Sequence, residues 1–346
     1  TEIGNAYLAM GNFGAARASF SRALALRESA LGPAHPAVAE SLNDLGVVAA
    51  YERDSTRALP LFQRSLAIRE AALGRRHEKV AESLSNLGST LSALGDAALA
   101  RPLIEQALEI KEALFGSDHI DLASTLNHLA RWHQEFGDPR TARPLFERCL
   151  AIRTRVLGAK HADVGIALNN LARNYRDLGE YALELKAAER SLHIALQNNG
   201  ERHPAVAQAL NILSSAHLAL GDKARALDLQ QRALALRREL LGPLHLDVAF
   251  SLSNLASVHL ARGDYEAAEA DAESAMQLLL LSLGERHLTV ANVRASLGII
   301  HALRSNTGAG VQAHLASLSV RSQLLPAGHG AIAQSLHNLA VLRADM

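Results

Sequence analysis

Histidine recurs every 42 residues in this chain, at His35, His77, His119, His161, His203, His245, His287 and His329, and no insertion or deletion disturbs the register. A fixed period of this length marks a repeat array, in which each unit buries its apolar face only against its neighbours. Length alone would suggest two or three domains for 346 residues, but an array grows without a second core. The expectation is a single array over residues 1–346, truncated at both ends. Its hinges are expected near 32–35, 74–77, 116–119, 158–161, 200–203, 242–245, 284–287 and 326–329. A stack of units has no central pocket, which points to binding rather than catalysis.

Aligned on the histidines, the unit reads as two helices. Three residues before each His stands Gly32, Gly74, Gly116, Gly158, Gly200, Gly242 or Gly284, with Pro326 in the last unit. Glycine there predicts a left-handed helix end. His35-Pro36 and His203-Pro204 put proline in the first turn of the next helix, where its missing N–H costs nothing. Leu45, Leu87, Leu129, Leu171, Leu213, Leu255, Leu297 and Leu339 hold one slot. Leu42, Leu84, Leu126, Leu168, Leu210, Leu252 and Leu336 lie three residues earlier, Arg294 being the exception. These spacings fall on one helical face.

A Gly-Asp turn follows at Gly95-Asp96, Gly137-Asp138, Gly221-Asp222 and Gly263-Asp264, with Gly179-Glu180 close to it. Glycine ends the first helix and the acid opens the second. The second helix repeats a small residue at Ala23, Ser65, Ala107, Cys149, Ser191, Ala233, Ala275 and Ser317, which lets neighbouring helices approach closely. The reading is all-α: a truncated first helix at residues 1–10, eight second helices, and a closing first helix near 330–344. That last helix lacks a partner helix in this sequence, so its outer face is expected to be apolar. Ser305-Asn306 replaces the glycine turn of the seventh unit, and Gly308 and Gly310 follow within its second helix. Each such glycine costs about 1 kcal/mol against alanine, so this unit is expected to be the loosest.

The unit resembles the tetratricopeptide repeat in the 42-residue form found in kinesin light chains and many bacterial regulatory proteins. The resemblance rests on Ala167-Leu168-Asn169-Asn170-Leu171-Ala172 with Tyr175 and Gly179. It also rests on Arg143-Pro144-Leu145-Phe146-Glu147-Arg148-Cys149-Leu150-Ala151-Ile152-Arg153, then Leu157-Gly158 and His161. It covers essentially the whole chain. It implies an α-solenoid, a right-handed superhelix of about eight helix-turn-helix repeats whose first helices line a concave groove that binds a peptide or protein. It names no partner, because one fold serves many functions.

Composition excludes other classes. The formal net charge is +0, so no whole-molecule field draws the chain to nucleic acid or an anionic membrane. Apolar runs are too short to span a bilayer. The single cysteine excludes an internal disulfide and fits a reducing, cytoplasmic compartment. Cys149 belongs to the small-residue series, which favours a packed thiol over a nucleophile. Histidines of neighbouring units stand about 10 Å apart in a helix stack, too far to share a zinc whose ligands each lie about 2 Å away. No metal site, cofactor or enzymatic activity is expected. His133, His217, His259 and His301 occupy the slot of Tyr7 and Tyr175, an aromatic packing position in the repeat family, and are expected to be structural.

The functional expectation falls on polar residues that the resemblance turns toward the groove. These are Asn127, Arg131, Asn169, Asn170, Arg173, Arg176 and Asn211, with Asn43, Asn86, His128 and Asn254 at matching positions. Asn127 with Arg131, and Asn169 with Arg173, share adjacent turns at i,i+4 spacing. Asparagine amides can bond an extended peptide's main chain, and arginine can grip a carboxylate, which suits an acidic segment. The competing structural reading is an asparagine ladder that ties the units together. Two other roles stay open: a sensor region fused to a nucleotide-hydrolysing switch or caspase-like protease, and an oligomerisation scaffold.

Overall fold

The computed structural model describes residues 2–344, the side chain of Ala9 excepted. Thr1, at the head of the expected first segment, and Met346, at the end of the expected array, lie outside the described residues. The helices, numbered in chain order, alternate between two kinds. The first helices are α1 (Glu2–Ala9), α3 (Pro36–Tyr51), α5 (Glu78–Leu94), α7 (Leu122–Phe136), α9 (Ala162–Asp177), α11 (Pro204–Ala219), α13 (Leu246–Arg262), α15 (Leu288–Leu303) and α17 (Gly330–Ala344). The second helices are α2 (Phe13–Leu31), α4 (Ser55–Leu73), α6 (Ala97–Phe115), α8 (Pro139–Leu157), α10 (Tyr181–Asn199), α12 (Lys223–Leu241), α14 (Tyr265–Leu283) and α16 (Thr307–Leu324). The fold is an all-α array of paired helices. It divides into two compact units, the boundary falling after Trp132 within α7.

The histidine ladder is a set of helix caps. In every unit the ring Nδ1 accepts from the backbone N–H two residues on: His35 from Ala37, His77 from Lys79, His161 from Asp163, His203 from Ala205, His245 from Asp247, His287 from Thr289 and His329 from Ala331, all at 3.1 Å. His119 makes a longer bond of 3.4 Å to Asp121. Each ring satisfies one of the amides that a helix start leaves without an intrahelical partner. An accepting Nδ1 requires the neutral ring with its proton on Nε2. In the second unit His329 uses that other nitrogen as well, 3.1 Å from the Glu135 carbonyl, 194 residues earlier.

The hinge glycines correct the expected left-handed helix end. Gly32, Gly116 and Gly158 have φ of 86, 77 and 88°, but their ψ values are 159, 178 and 153°. That combination lies outside the left-handed helical well and is open essentially to glycine alone. True left-handed caps close first helices instead, as at Gly95 (φ 91°, ψ 1°) and Gly263 (φ 87°, ψ 9°). Arg53 and Ser305 hold the equivalent position at φ 61° without glycine's freedom.

Packing between paired helices is a matter of matched sizes. A Cβ on Gly46 would stand 2.6 Å from the Phe62 ring, and one on Gly298 would stand 2.7 Å from the His314 ring. Ser65, Ser191 and Ser317 of the small-residue series donate to the carbonyls of Ala39, Gly165 and Ala291. At α17 the expected apolar outer face is present. Leu336 is 53% exposed, whereas Leu42, Leu84 and Leu126 in the same slot are at most 2% exposed.

Candidate functional site

A second periodic series, which pattern reading for apolar and glycine positions passes over, bolts second helices to the following first helix. Arg69 Nη1 donates to the Lys79 carbonyl (2.9 Å) and Ser83 Oγ (2.8 Å). Lys111 Nζ does the same to Asp121 and Thr125, Arg237 to Asp247 and Ser251, and Arg321 to Ala331 and Ser335. Burial pushes the Arg69, Lys111 and Arg321 cations below their usual pKa range. Where the cation is missing its hydroxyl partner is missing too: Ala195 faces Ala209 in register, and Leu279 faces Val293. Arg153 keeps the carbonyl bond, to Asp163 (3.0 Å), although Ala167 fills the hydroxyl slot, and these bonds within the chain mark the series as structural.

The asparagine ladder also exists. Asn86 Nδ2 donates to Asn43 Oδ1 (3.1 Å) in the first unit, and Asn254 Nδ2 donates to Asn211 Oδ1 (2.7 Å) in the second. Each pair is 43 residues apart and joins neighbouring first helices. Asn211 Oδ1 accepts in addition from Gln230 Nε2 at 3.1 Å, so this oxygen is already engaged by the chain. Asn169 occupies the same slot with a different outcome. The residue 43 positions on is Ile212, which has no side-chain donor, and Ala188 replaces the counterpart of Gln230. Asn169 Oδ1 is buried and has no hydrogen-bond partner.

Of the residues expected at the site, Asn169, Asn170, Arg173, Arg176 and Asn211 lie in the second unit, and Asn127 and Arg131 lie on α7 in the first. Arg173 and Arg131 are exposed, while Asn127, Asn169, Asn170, Arg176 and Asn211 are half-buried. Arg176 Nη1 donates to Ser215 Oγ on α11 (3.2 Å), and its Nε lies 3.6 Å from Asp177. α9 and α11 are therefore bridged within the face on which Asn169 has its unpaired acceptor.

Beneath Arg176 is a residue the sequence reading overlooked. Glu184, in the first turn of α10, is 0% exposed, and neither carboxylate oxygen has a hydrogen-bond partner. Burial raises its carboxyl to about 7, opposed by the Arg176 charge and the Ser215 hydroxyl and reinforced by Asp177. Its slot holds Ala16, Ala58, Ala100, Ala142, Ala226, Ala268 and Gly310 elsewhere. Reading that column for its one charged outlier would have found it.

Cys149 is buried, and its thiol is pushed up by that burial, the opposite of an activated nucleophile. Among the described residues no group of three His, Cys, Asp or Glu side chains could hold a metal ion. His217 and His301 lie beside Asp222 (3.5 Å) and Glu269 (2.9 Å), and His259 lies between Asp264 and Asp271. The expected aromatic slot is thus acid-paired at these three positions. No described helix is long and apolar enough to cross a membrane.

The tetratricopeptide repeat family model matches residues 1–71, 48–113, 79–155, 121–197, 163–239, 207–280 and 247–309. The chain belongs to the tetratricopeptide repeat family. Solved structures agree on the fold. The Rap conjugation gene regulator of the plasmid pLS20, solved with the Phr* peptide, has a TM-score of 0.63 at 12% identity, covering 85% of this chain and 78% of that one. A Rap protein complexed with competence and sporulation factor has a TM-score of 0.54 at 12% identity, covering 90% and 99%. BtubC (BKLC) from P. vanneervenii has a TM-score of 0.50 at 24% identity, covering 67% and 91%. A comparison with curated protein sequences finds no match.

Proposed function

We propose that this chain is a non-enzymatic scaffold of the 42-residue, kinesin-light-chain-like repeat type that binds an extended protein segment on the ladder face of its first helices. The α9–α11 stretch is its anchor. The observation that carries this reading is Asn169. In a ladder whose Asn43 and Asn211 rungs are closed by the chain's own amides, its buried oxygen has no donor. An unpaired buried acceptor costs about 1–3 kcal/mol, and a main-chain N–H of a bound segment removes that cost. Arg173, one turn further along α9, and Arg176 supply positive charge beside it, which favours an acidic segment. Two of the fold relatives were solved in complex, one with the Phr* peptide and one with competence and sporulation factor, which supports a binding use here. A single cysteine agrees with work in a reducing compartment.

The test is the double variant Asn169→Ala, Arg173→Ala against a panel of fluorescent acidic peptides. Affinity should fall at least about tenfold, the loss of one charge-assisted bond, while the melting temperature stays put. Retained affinity would remove the ladder face from consideration.

A further inference from the structure

The slot of Glu184 is otherwise reserved for the smallest side chains, because a second helix presses there against its neighbours. Two other slots of the same repeat bear on it. Ala188 stands where Phe20, Phe62, Ile104, Phe146, Gln230 and His314 stand, sharing its small size with Ala272 alone, and makes room one turn away. Arg176 stands where Ala50, Ser92, Gln134, Leu218, Leu260 and Ala302 stand, and it is the only cation in that series. An acid, a base and a smaller neighbour thus occur together in one repeat. A buried carboxylate in a helix's first turn gains from the helix dipole, but acids placed for that purpose alone remain in water. Glu184 is 0% exposed.

The two charges differ in access. The Arg176 side chain is 39% exposed and divides its donors between Ser215 and Asp177. Glu184 lies under it. From α9 it faces Arg176 and Asp177, and from α11 the Ser215 hydroxyl. A ligand can therefore reach the guanidinium and only through it affect the carboxylate. We propose that Arg176 receives a carboxylate of an acidic peptide and that Glu184 takes up a proton from solvent as it does so. The inference rests on the ladder-face reading above.

The physical reason is the balance of charges. Arg176 is the chief influence that keeps Glu184 ionised. A ligand carboxylate on Arg176 cancels that field and brings a second negative charge near, and both effects favour the neutral acid. The proton goes to a carboxylate oxygen that has no donor of its own. Binding that takes up a proton strengthens as pH falls, by at most about tenfold per pH unit for one proton. The ligand's own aspartates titrate near 4, below the window from pH 8 to pH 6.

The experiment is calorimetric titration of the whole chain with a blocked hexa-aspartate peptide, and with hexa-asparagine as control. Runs at pH 7 in phosphate and in Tris, whose ionisation enthalpies differ, read the protons taken up. The expected result is a fraction of one proton per peptide, and an affinity about three- to tenfold higher at pH 6 than at pH 8. Glu184→Gln, and independently Glu184→Ala, the residue of six other repeats, should bind hexa-aspartate with no proton uptake and little dependence on pH. Proton uptake that persists in both variants, or none in the unmodified chain, overturns the inference and leaves the ladder-face reading standing. Hexa-aspartate that binds no better than hexa-asparagine overturns the acidic ladder-face reading itself.

Discussion

The helix pair α3–α4 and the pair α9–α10 share one template and spend their polar groups in opposite ways. In the first unit, Asn43 accepts from Asn86, Ala58 and Phe62 fill the helix contact, and Arg69 bolts α4 to α5. In the second unit, the matching positions read Asn169 facing Ile212, Glu184, Ala188 and Ala195. The first pair satisfies its buried groups internally. The second leaves buried acceptor atoms of three side chains, Asn169, Asn174 and Glu184, without donors. Four substitutions at fixed register turn a repeat whose buried groups are met into one with unmet hydrogen-bonding capacity, on which the proposed ligand site rests.

The most severe way to break the comparison is to write one pair into the other. Ala58→Glu puts a carboxylate under Phe62, with no Arg at position 50 to face it and no small residue to make room. Burying an unpaired charge in a filled contact should cost more than about 4 kcal/mol. Urea unfolding followed by circular dichroism would show it, and a loss below about 1 kcal/mol, the size of an ordinary surface effect, would mean the slot tolerates charge anywhere. Next in size is Arg69→Ala. It strands the Ser83 hydroxyl and the Lys79 carbonyl, and should cost about 3 kcal/mol. The double variant Arg69→Ala, Ser83→Ala should recover part of that loss, since Ala195 with Ala209 does without the bolt. A double variant as weak as the single one would make the bolt a packing effect alone.

Glu184→Gln tests the unpaired pair directly, with a definite sign. The folded carboxyl titrates near 7 against an ordinary value of 4.5, so between those values the folded state holds a proton that the unfolded chain has released. Stability contributed by that group is complete below pH 4.5 and lost as pH rises through 7. The shift corresponds to about 3 kcal/mol. The unmodified chain should therefore weaken between pH 5 and pH 8 relative to the Gln variant, and parallel curves would refute the assignment. Asp44, raised to about 6 by burial and Glu82, adds a smaller trend of the same sign to both proteins and cancels in their difference. Burial lowers the His203 pKa, and that group loses stability as pH falls, the opposite direction.

The periodicity made the helices, their order and the hinge role of histidine legible, because each follows from spacing alone. Three things were not legible, each for a physical reason. The hinge glycines signalled positive φ, but ψ depends on where the next helix must start. The Arg69 series has the same period as the histidines, yet a charged residue on a helix is ordinarily solvated, so its burial has no local signature. The unpaired state of Asn169 depends on the stagger between neighbouring first helices, which sets the partner at 43 residues rather than 42. No single repeat contains that number.

The smallest effect is the most specific, because it separates a ladder rung from a ligand rung. Asn86→Ile reproduces in the first unit what Ile212 does in the second, leaving Asn43 Oδ1 without the Asn86 amide and costing about 1 kcal/mol. Ile212→Asn does the reverse. It offers Asn169 an amide at the spacing that Asn86 and Asn254 use, and any gain in stability is offset by the lost apolar burial of Ile212. Its stability should stay within about 1 kcal/mol of the unmodified chain, since a hydrogen bond of that size replaces the burial of a few methylenes. Its peptide affinity should fall, because the acceptor is now occupied from within. A loss of binding at unchanged stability distinguishes an acceptor held open for a ligand from a packing defect, since filling a packing defect would leave affinity where it was.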